Sequence, residues 1–173
     1  MADGDSIINN KTDGIINLAA RGDYRGNTAV VMTGNATLNN EGAINIAASN
    51  EASSIIGQGA NIGIDAKAHT KVNNSGTIYI GRSAQRAPGD ANNDIDIKQH
   101  SIGVQLYGNG KYNGSNTSEI IIGSKVQNAT AIEVSGKDAT LRHAGIIDIN
   151  GEVTGDSVSS NIEAERIASS SRS

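Results

Sequence analysis

Residues 29–46 read AVVMTGNATLNNEGAINI, and this stretch decides the fold. Apolar and polar residues alternate in three short runs within it, at Val30/Met32, Ala36/Leu38 and Ile44/Ile46. Alternation with a period of two places one set of side chains on one face of a strand. The Gly and Asn residues between the runs tolerate the backbone conformations of tight bends. The stretch therefore predicts three strands joined by bends, which together form one triangular coil.

Imperfect copies of this stretch account for most of the remaining chain. The third strand recurs at Gly14, Gly42, Gly76, Ser118 and Gly145, at intervals of 28, 34, 42 and 27 residues. The first strand recurs at residues 62–64, 102–104 and 132–134, and the second is marked by Leu38, Val72 and Leu141. A repeat this short cannot bury its own apolar face, so the copies must stack. The sequence predicts an all-β fold, a three-strand parallel β-helix solenoid of about five coils with loop insertions.

The composition agrees with a narrow interior. The 173 residues include 21 Gly and 4 Tyr but no Phe or Trp, whereas large globular cores use aromatic side chains to fill volume. The net charge of -4, from 14 Lys and Arg against 18 Asp and Glu, is too mild to predict a nucleic acid partner. No Cys is present, which excludes disulfides and thiolate metal sites. No apolar run approaches the length of a membrane span, so we predict no membrane insertion, and we predict no cofactor.

The chain is predicted to have three parts. Residues 1–5 form a leader, residues 6–151 the solenoid, and residues 152–173 a tail in which residues 160–168 form a short capping helix before a disordered end. Because the repeats begin almost at the first residue, we expect a piece excised from a longer protein. The connection after the first coil contains residues 21–23, Arg-Gly-Asp, which integrins read when the tripeptide lies on an exposed turn, although it also has the composition of an ordinary loop.

The largest departure from the repeat is an insertion at residues 82–99, which contains the only proline. Its Asp90, Asn92 and Asp94 have the spacing of a calcium loop, but an EF-hand requires Gly at the sixth position and Glu at the twelfth. Those positions hold Ile95 and Ser101, so we assign no metal site and interpret the Asp and Asn residues as turn formers. Alternation around Ile95 predicts that the second half of the insertion is an added strand.

A second insertion, at residues 107–116, interrupts the second strand of coil four. It is rich in Gly and Asn and contains Tyr107 and Tyr112. Two tyrosines in such a bulge form a candidate contact surface, because Tyr offers area and a hydroxyl at a low entropy cost. A tolerated loop is the alternative interpretation.

The repeated phrases carry a resemblance to a known family. The phrase Asn-x-Gly-x-Ile-x-Ile, in residues 73–80, alternates with Ser-Ile-Gly-Val, in residues 101–104. This pattern resembles the passenger domains of type V secreted autotransporter adhesins of Gram-negative bacteria and, less closely, filamentous-haemagglutinin-like exoproteins. The resemblance implies a right-handed parallel β-helix, exported through the outer membrane and displayed at the cell surface or secreted. It also implies a role in cell aggregation, biofilm formation or attachment to a host.

The expected contact residues follow from this reading. If the alternating isoleucines point inward, the residues between them form an outward column at Asn17, Asn45, Tyr79, Ile121 and Asp148. We predict binding through this column and the two insertions, at Asn17, Asn45, Tyr79, Asp148, Arg82, Arg86, Asn92, Asn93, Tyr107 and Tyr112. The predicted partner is another copy on a neighbouring cell, or a host glycan or matrix protein.

Two other functions remain open on the sequence. A β-helical enzyme acting on polysaccharide needs two carboxylates held apart, and Glu119 and Asp148 lie on neighbouring coils. The serine protease motif Gly-Asp-Ser-Gly of some family members is not matched, because Val158 follows Gly155-Asp156-Ser157. We predict no catalytic residue and no enzymatic activity. The third possibility is a purely structural spacer.

Overall fold

The computed structural model describes residues 1–18, 26–47 and 59–150, and within them it contains fourteen β-strands and no helix. The strands are β1 (Ile7–Asn10), β2 (Ile15–Leu18), β3 (Thr28–Met32), β4 (Thr37–Asn40), β5 (Ala43–Ile46), β6 (Asn61–Ala66), β7 (Lys71–Asn74), β8 (Thr77–Ile80), β9 (Ser101–Leu106), β10 (Lys111–Gly114), β11 (Glu119–Ile122), β12 (Ala129–Val134), β13 (Thr140–His143) and β14 (Ile146–Ile149).

Every pairing between these strands is parallel, and the strands form three sheets. Sheet A has the order β3-β6-β9-β12, sheet B the order β1-β4-β7-β10-β13, and sheet C the order β2-β5-β8-β11-β14. Each strand pairs with its equivalent in the next coil, so coil one holds β1 and β2, coil two β3–β5, coil three β6–β8, coil four β9–β11 and coil five β12–β14. The prediction of a three-strand solenoid of about five coils is confirmed.

The predicted alternation places the core. The alternating apolar residues of the 29–46 stretch are buried, with Val30 at 4% exposure and Met32, Ala36, Leu38, Ile44 and Ile46 at 0%. Their equivalents in later coils continue the same columns, for example Leu38, Val72, Tyr112 and Leu141 in sheet B. Apolar side chains therefore stack along the axis and share one narrow core.

The predicted alignment of the first strands is wrong by two residues in coil five. Ile132 pairs with Val104, and Val104 pairs with Ile64, whereas Ile102 pairs with Thr130. The cause is the period of the strand itself, because residues two apart lie on the same face and the Ile-x-Val pattern of residues 132–134 fits either alignment.

The predictions for the leader, the Arg-Gly-Asp tripeptide and the tail have different outcomes. The predicted leader at residues 1–5 joins the solenoid, because Ala2 is 4% exposed and its backbone N–H donates to Val31 O at 2.8 Å. The Arg-Gly-Asp tripeptide at residues 21–23 and the predicted helix in the tail lie outside the described residues.

A ladder of buried asparagines runs inside the solenoid at the last position of the sheet B strands. Asn10 Nδ2 donates to Asn40 Oδ1 at 2.7 Å, and Asn40 Nδ2 donates to Asn74 Oδ1 at 2.7 Å. The exposure of these side chains is 7%, 1% and 2%. Because a buried amide without partners is costly, each asparagine satisfies the next, and the ladder holds the coils in register.

The ladder changes its chemistry in coil four, where the predicted bulge is wrong. Residues 111–114 form strand β10, and Tyr112 is fully buried in the core instead of lying on a contact surface. Gly114 occupies the position of Asn74, and Asn74 Nδ2 donates to the Tyr112 hydroxyl at 3.1 Å. Burial raises the pKa of Tyr112 to about 12, so the phenol stays protonated. His143 follows in the same column, with its ring 6.1 Å from that of Tyr112.

Replacing Asn40 with Ala tests the ladder. The change removes the acceptor of Asn10 Nδ2 and the donor to Asn74 Oδ1 in a buried position, and we expect a loss of about 2 to 4 kcal/mol in the free energy of unfolding, measured by chemical denaturation. Asn39→Ala is the matched control, because Asn39 lies on the same strand but half-exposed. Equal losses for the two variants would contradict a special role for the buried ladder.

The pairing of Tyr112 with Gly114 predicts a strong coupling. In Gly114→Asn, the new Cβ would lie 2.3 Å from His143 Nδ1 and 3.1 Å from Tyr112 Cε1, so this variant should be destabilised. Adding Tyr112→Val recreates the Val72/Asn74 pair of coil three and removes the contact with Tyr112 Cε1, while the contacts with His143 and Ser118 remain. In a double-mutant cycle of unfolding free energies, we expect the double variant to be more stable than the sum of the singles predicts, by about 1 kcal/mol or more. Additive effects would contradict the exchange.

Candidate functional site

The predicted outward column of sheet C exists in the predicted register. Asn17 pairs with Asn45, Asn45 with Tyr79, Tyr79 with Ile121, and Ile121 with Asp148. Adjacent members lie about 4.8 Å apart, the spacing between neighbouring strands. The column is therefore continuous along all five coils, but its members differ strongly in their exposure.

The insertion at residues 82–99 folds over the lower part of the column, which comprises Asn17, Asn45 and Tyr79 in coils one to three. Asn17 Nδ2 donates to Gln85 O at 2.6 Å, and the Gln85 backbone N–H donates to Asn17 Oδ1 at 3.3 Å. Asn45 donates to the same Asn17 Oδ1 at 2.8 Å, and its side chain is 0% exposed. The prediction that Asn45 points outward to a binding partner is therefore wrong, because its side chain is buried.

The insertion is held together by its own side chains. Arg82 Nε lies 3.0 Å from Asp94 Oδ1, and Ser83 and Asn93 exchange hydrogen bonds. Asp90 Oδ2 accepts the backbone N–H groups of Arg86 and Ala87 at 2.9 and 2.8 Å, and these bonds lower the pKa of Asp90. The backbone of Arg86 thus helps to shape the insertion, while the residue itself is exposed.

Asp94 ties the insertion to coil four. Its Oδ2 accepts the backbone N–H and the hydroxyl of Ser124, at 2.9 and 2.5 Å. Burial alone would raise the pKa of Asp94, but the bonds from Ser124 and the charge and hydrogen bond of Arg82 lower it on balance. Ile97 is 1% exposed and forms a single parallel bridge with Val126. The predicted added strand is therefore reduced to isolated bridges, although its apolar residues do join the core.

The carboxylates of the calcium-like spacing are engaged in these bonds. Asp90 accepts backbone N–H groups, and Asp94 is shared between Arg82 and Ser124. Asn92 lies between them, half-buried, with its Nδ2 3.4 Å from Gln85 Oε1. Within residues 1–18, 26–47 and 59–150, no group of three or more His, Asp or Glu side chains is arranged to hold a metal ion.

A shallow cleft of about 320 Å³ lies where the insertion meets the bends between sheets B and C. Its walls include Gln85 and Pro88 from the insertion, and Tyr79 and Thr77 from β8. The ring of Tyr79 is half-buried, and the Arg82 Cζ atom lies 5.0 Å from its centroid, a cation–π contact. The structure therefore brings Asn17 and Tyr79 of sheet C together with Arg82, Asn92 and Asn93 of the insertion.

The remaining predicted residues lie elsewhere. Tyr107, which is 39% exposed, lies in the bend between β9 and β10 and does not share a surface with the buried Tyr112. Asp148 is exposed on β14, two coils beyond Tyr79. The upper face of sheet C, in coils four and five, thus carries Ile121, which is partly exposed, in register with Asp148, which is exposed.

The two carboxylates considered for catalysis lie on this open part. Glu119 pairs with Ile146, and Asp148 pairs with Ile121, so the two acids are diagonal neighbours on adjacent strands. Both lie at outward positions of sheet C, and Glu119 Oε2 accepts a hydrogen bond from the Thr77 hydroxyl at 3.5 Å. These two carboxylates lie at the surface, and neither lines the cleft beside the insertion.

Comparison with protein-family models, with curated proteins and with solved structures found no match. Among the described residues, no helix has the length and apolar character needed to cross a membrane. The geometry of the chain itself is therefore the basis for its functional assignment.

Two structural features were not predicted from the sequence. The first is Gln85, whose backbone closes over Asn17 from 68 residues away. No local pattern marks such a contact. The second is a set of asparagine ladders, for which a signal existed in the repeated Asn-Asn pairs at 9–10, 39–40 and 73–74.

Asp94→Asn should loosen the insertion. A carboxylate accepts hydrogen bonds about twice as strongly as a neutral amide, so the variant weakens the contacts with Ser124 and Arg82. We expect faster amide hydrogen exchange at Ser124 and across residues 83–93, measured by NMR or mass spectrometry, with the solenoid strands unchanged.

Asp96→Asn is the matched control, because Asp96 is exposed two residues away. The stabilising effect of Asp94 should be fully present above its unfolded pKa of 3.8 and lost as the pH falls through its lowered folded pKa. Equal exchange in the Asp94 and Asp96 variants would refute the proposed tie.

Proposed function

We propose that this chain is part of a non-enzymatic bacterial surface adhesin, of the type that Gram-negative bacteria export through the outer membrane. Its role is attachment, either between cells carrying the same protein or to a host surface. The observation that carries the proposal is the open upper face of sheet C. There Ile121 and Asp148 stand in register on consecutive coils of a parallel β-helix.

A rigid solenoid suits this role because its surface groups keep fixed positions. Individual polar contacts on an exposed face are weak, each worth about 1 kcal/mol or less. Many copies on one surface act together through avidity, so weak contacts suffice to hold two surfaces. The lower part of the column is covered, and the insertion is held by its own hydrogen bonds. Fewer side chains therefore have to be ordered when the protein binds a partner, which lowers the entropy cost of binding.

The exposed setting of Glu119 and Asp148 outside the cleft disfavours the polysaccharide-acting enzyme. Both carboxylates are partly or fully exposed, and neither lies in the cleft beside the insertion. We therefore propose adhesion ahead of catalysis, and adhesion ahead of a passive spacer because the upper face is open.

Charge added to the upper face should weaken attachment. We expect beads coated with the Ile121→Lys/Asp148→Lys variant to clump, or to attach to epithelial cells, several-fold less than beads coated with the unchanged chain. The control is Gln127→Lys/Asp138→Lys, which makes the same charge change on exposed bend residues outside sheet C. Clumping is followed by light scattering, attachment by bead counting, and folding by circular dichroism.

Unchanged clumping and attachment in the folded face variant would overturn the proposed role of this face. An equal decrease in the control would also overturn it, because the effect would then follow from net charge alone.

A further inference from the structure

Sheet B has an outward face with a charge that the whole chain does not share. The first and third residues of each sheet B strand point outward: Ile7, Asn9, Thr37, Asn39, Lys71, Asn73, Lys111, Asn113, Thr140 and Arg142. These ten positions hold three cations and no acid, in a chain whose net charge is -4. The equivalent positions of sheet C hold Glu119 and Asp148 and no cation. Charge is thus separated by face.

The three cations form a compact group. Lys71 pairs directly with Lys111, and Arg142 lies on the next coil, in register with Asn113. Consecutive coils are about 4.8 Å apart, so the group spans roughly 10 Å along the axis. All three side chains are exposed, and within the described residues none of them forms an ion pair, whereas Lys11, Lys67 and Arg82 each do.

The direct pairing of Lys71 with Lys111 is unfavourable in the chain alone. Like charges on directly paired strand residues repel each other. An anionic group placed between the two ammonium groups would remove that repulsion and gain two charge-assisted hydrogen bonds. Arg142 adds a planar guanidinium that suits a carboxylate or a sulfate.

A second ladder of asparagines runs beside the cations. Asn39 Nδ2 donates to Asn9 Oδ1, Asn73 Nδ2 to Asn39 Oδ1, and Asn113 Nδ2 to Asn73 Oδ1, at 2.9, 2.8 and 3.4 Å. Each bond uses one N–H of an amide that has two. The ladder therefore fixes the amides and leaves hydrogen-bonding groups at the surface, where they match the hydroxyl groups of a sugar.

We propose that this outward face of sheet B binds an extended anionic polysaccharide, one that carries sulfate or carboxylate groups along its length. The inference deepens the proposed adhesin role, on which it rests, by giving that role a partner of stated chemistry. A narrow chain lying along the solenoid contacts only the cationic face. A bulky duplex nucleic acid would also meet the field of a net acidic protein. A single-stranded nucleic acid is bound by stacking of its bases on aromatic side chains, and the ten outward positions hold none.

Binding to heparin, a sulfated polysaccharide, tests the proposal with the purified 173-residue chain. We expect Lys71→Gln/Lys111→Gln/Arg142→Gln to weaken heparin binding about tenfold or more, since three exposed charge contacts are removed. Binding by the unchanged chain should also weaken as salt is raised. The matched control, Lys98→Gln/Lys125→Gln/Lys137→Gln, removes three cations from the insertion and from two bends outside the strands of sheet B, and should bind heparin as before. Circular dichroism checks that both variants fold.

Three results would overturn the proposal. They are equal losses in the two variants, duplex DNA binding as tightly as heparin, and a sheet B variant that changes self-association in sedimentation without changing heparin binding. Bead clumping separates this inference from the proposed function. Clumping that depends on Ile121 and Asp148, with no heparin binding, would leave the adhesin role standing and remove this partner.

Discussion

Each coil of this chain leaves the backbone N–H and C=O groups of its short strands unpaired until a neighbouring coil lies against it. The stack solves this problem through eleven parallel pairings within the described residues. The same contact buries the isoleucines that a single coil would expose. Asn10, Asn40 and Asn74 then add a buried polar column, in which each amide is satisfied only if the coils keep their register. Hydrogen bonding and burial therefore favour one alignment.

This constraint explains where the chain tolerates variation. Inside the stack, a change at one position requires a compensating change nearby, as when Tyr112 takes the place of an aliphatic residue and Gly114 the place of an asparagine. Between strands, the chain accepts an insertion of eighteen residues at 82–99, which it ties down through Asp94 and packs through Ile97. At the outward-facing positions of the strands, the chain is free to carry charge. Sheets B and C use that freedom in opposite senses, with cations on one face and acids on the other.

Most of the fold was predictable because period-two alternation and recurring glycines are local signals. They located the strands and the number of coils, and they gave the register of the outward column from Asn17 to Asp148. The burial of Tyr112 was not predictable in this way, since its Gly- and Asn-rich neighbours resemble a loop and its partner Asn74 is 38 residues away. Likewise, the burial of Asn45 depends on an insertion that returns from a later coil. Long-range contacts thus decided which predicted binding residues stay exposed.

Through-hydrogen-bond NMR couplings test the stacked arrangement most directly. The account predicts couplings from the Lys71 amide to the Ala36 carbonyl and from the Lys111 amide to the Thr70 carbonyl, the inter-coil bonds of sheet B. The equivalent coupling in sheet C joins the Thr77 amide to the Gly42 carbonyl. Couplings between amides and carbonyls four residues apart, or an antiparallel pattern between these strands, would contradict the parallel β-helix and every conclusion drawn from its faces.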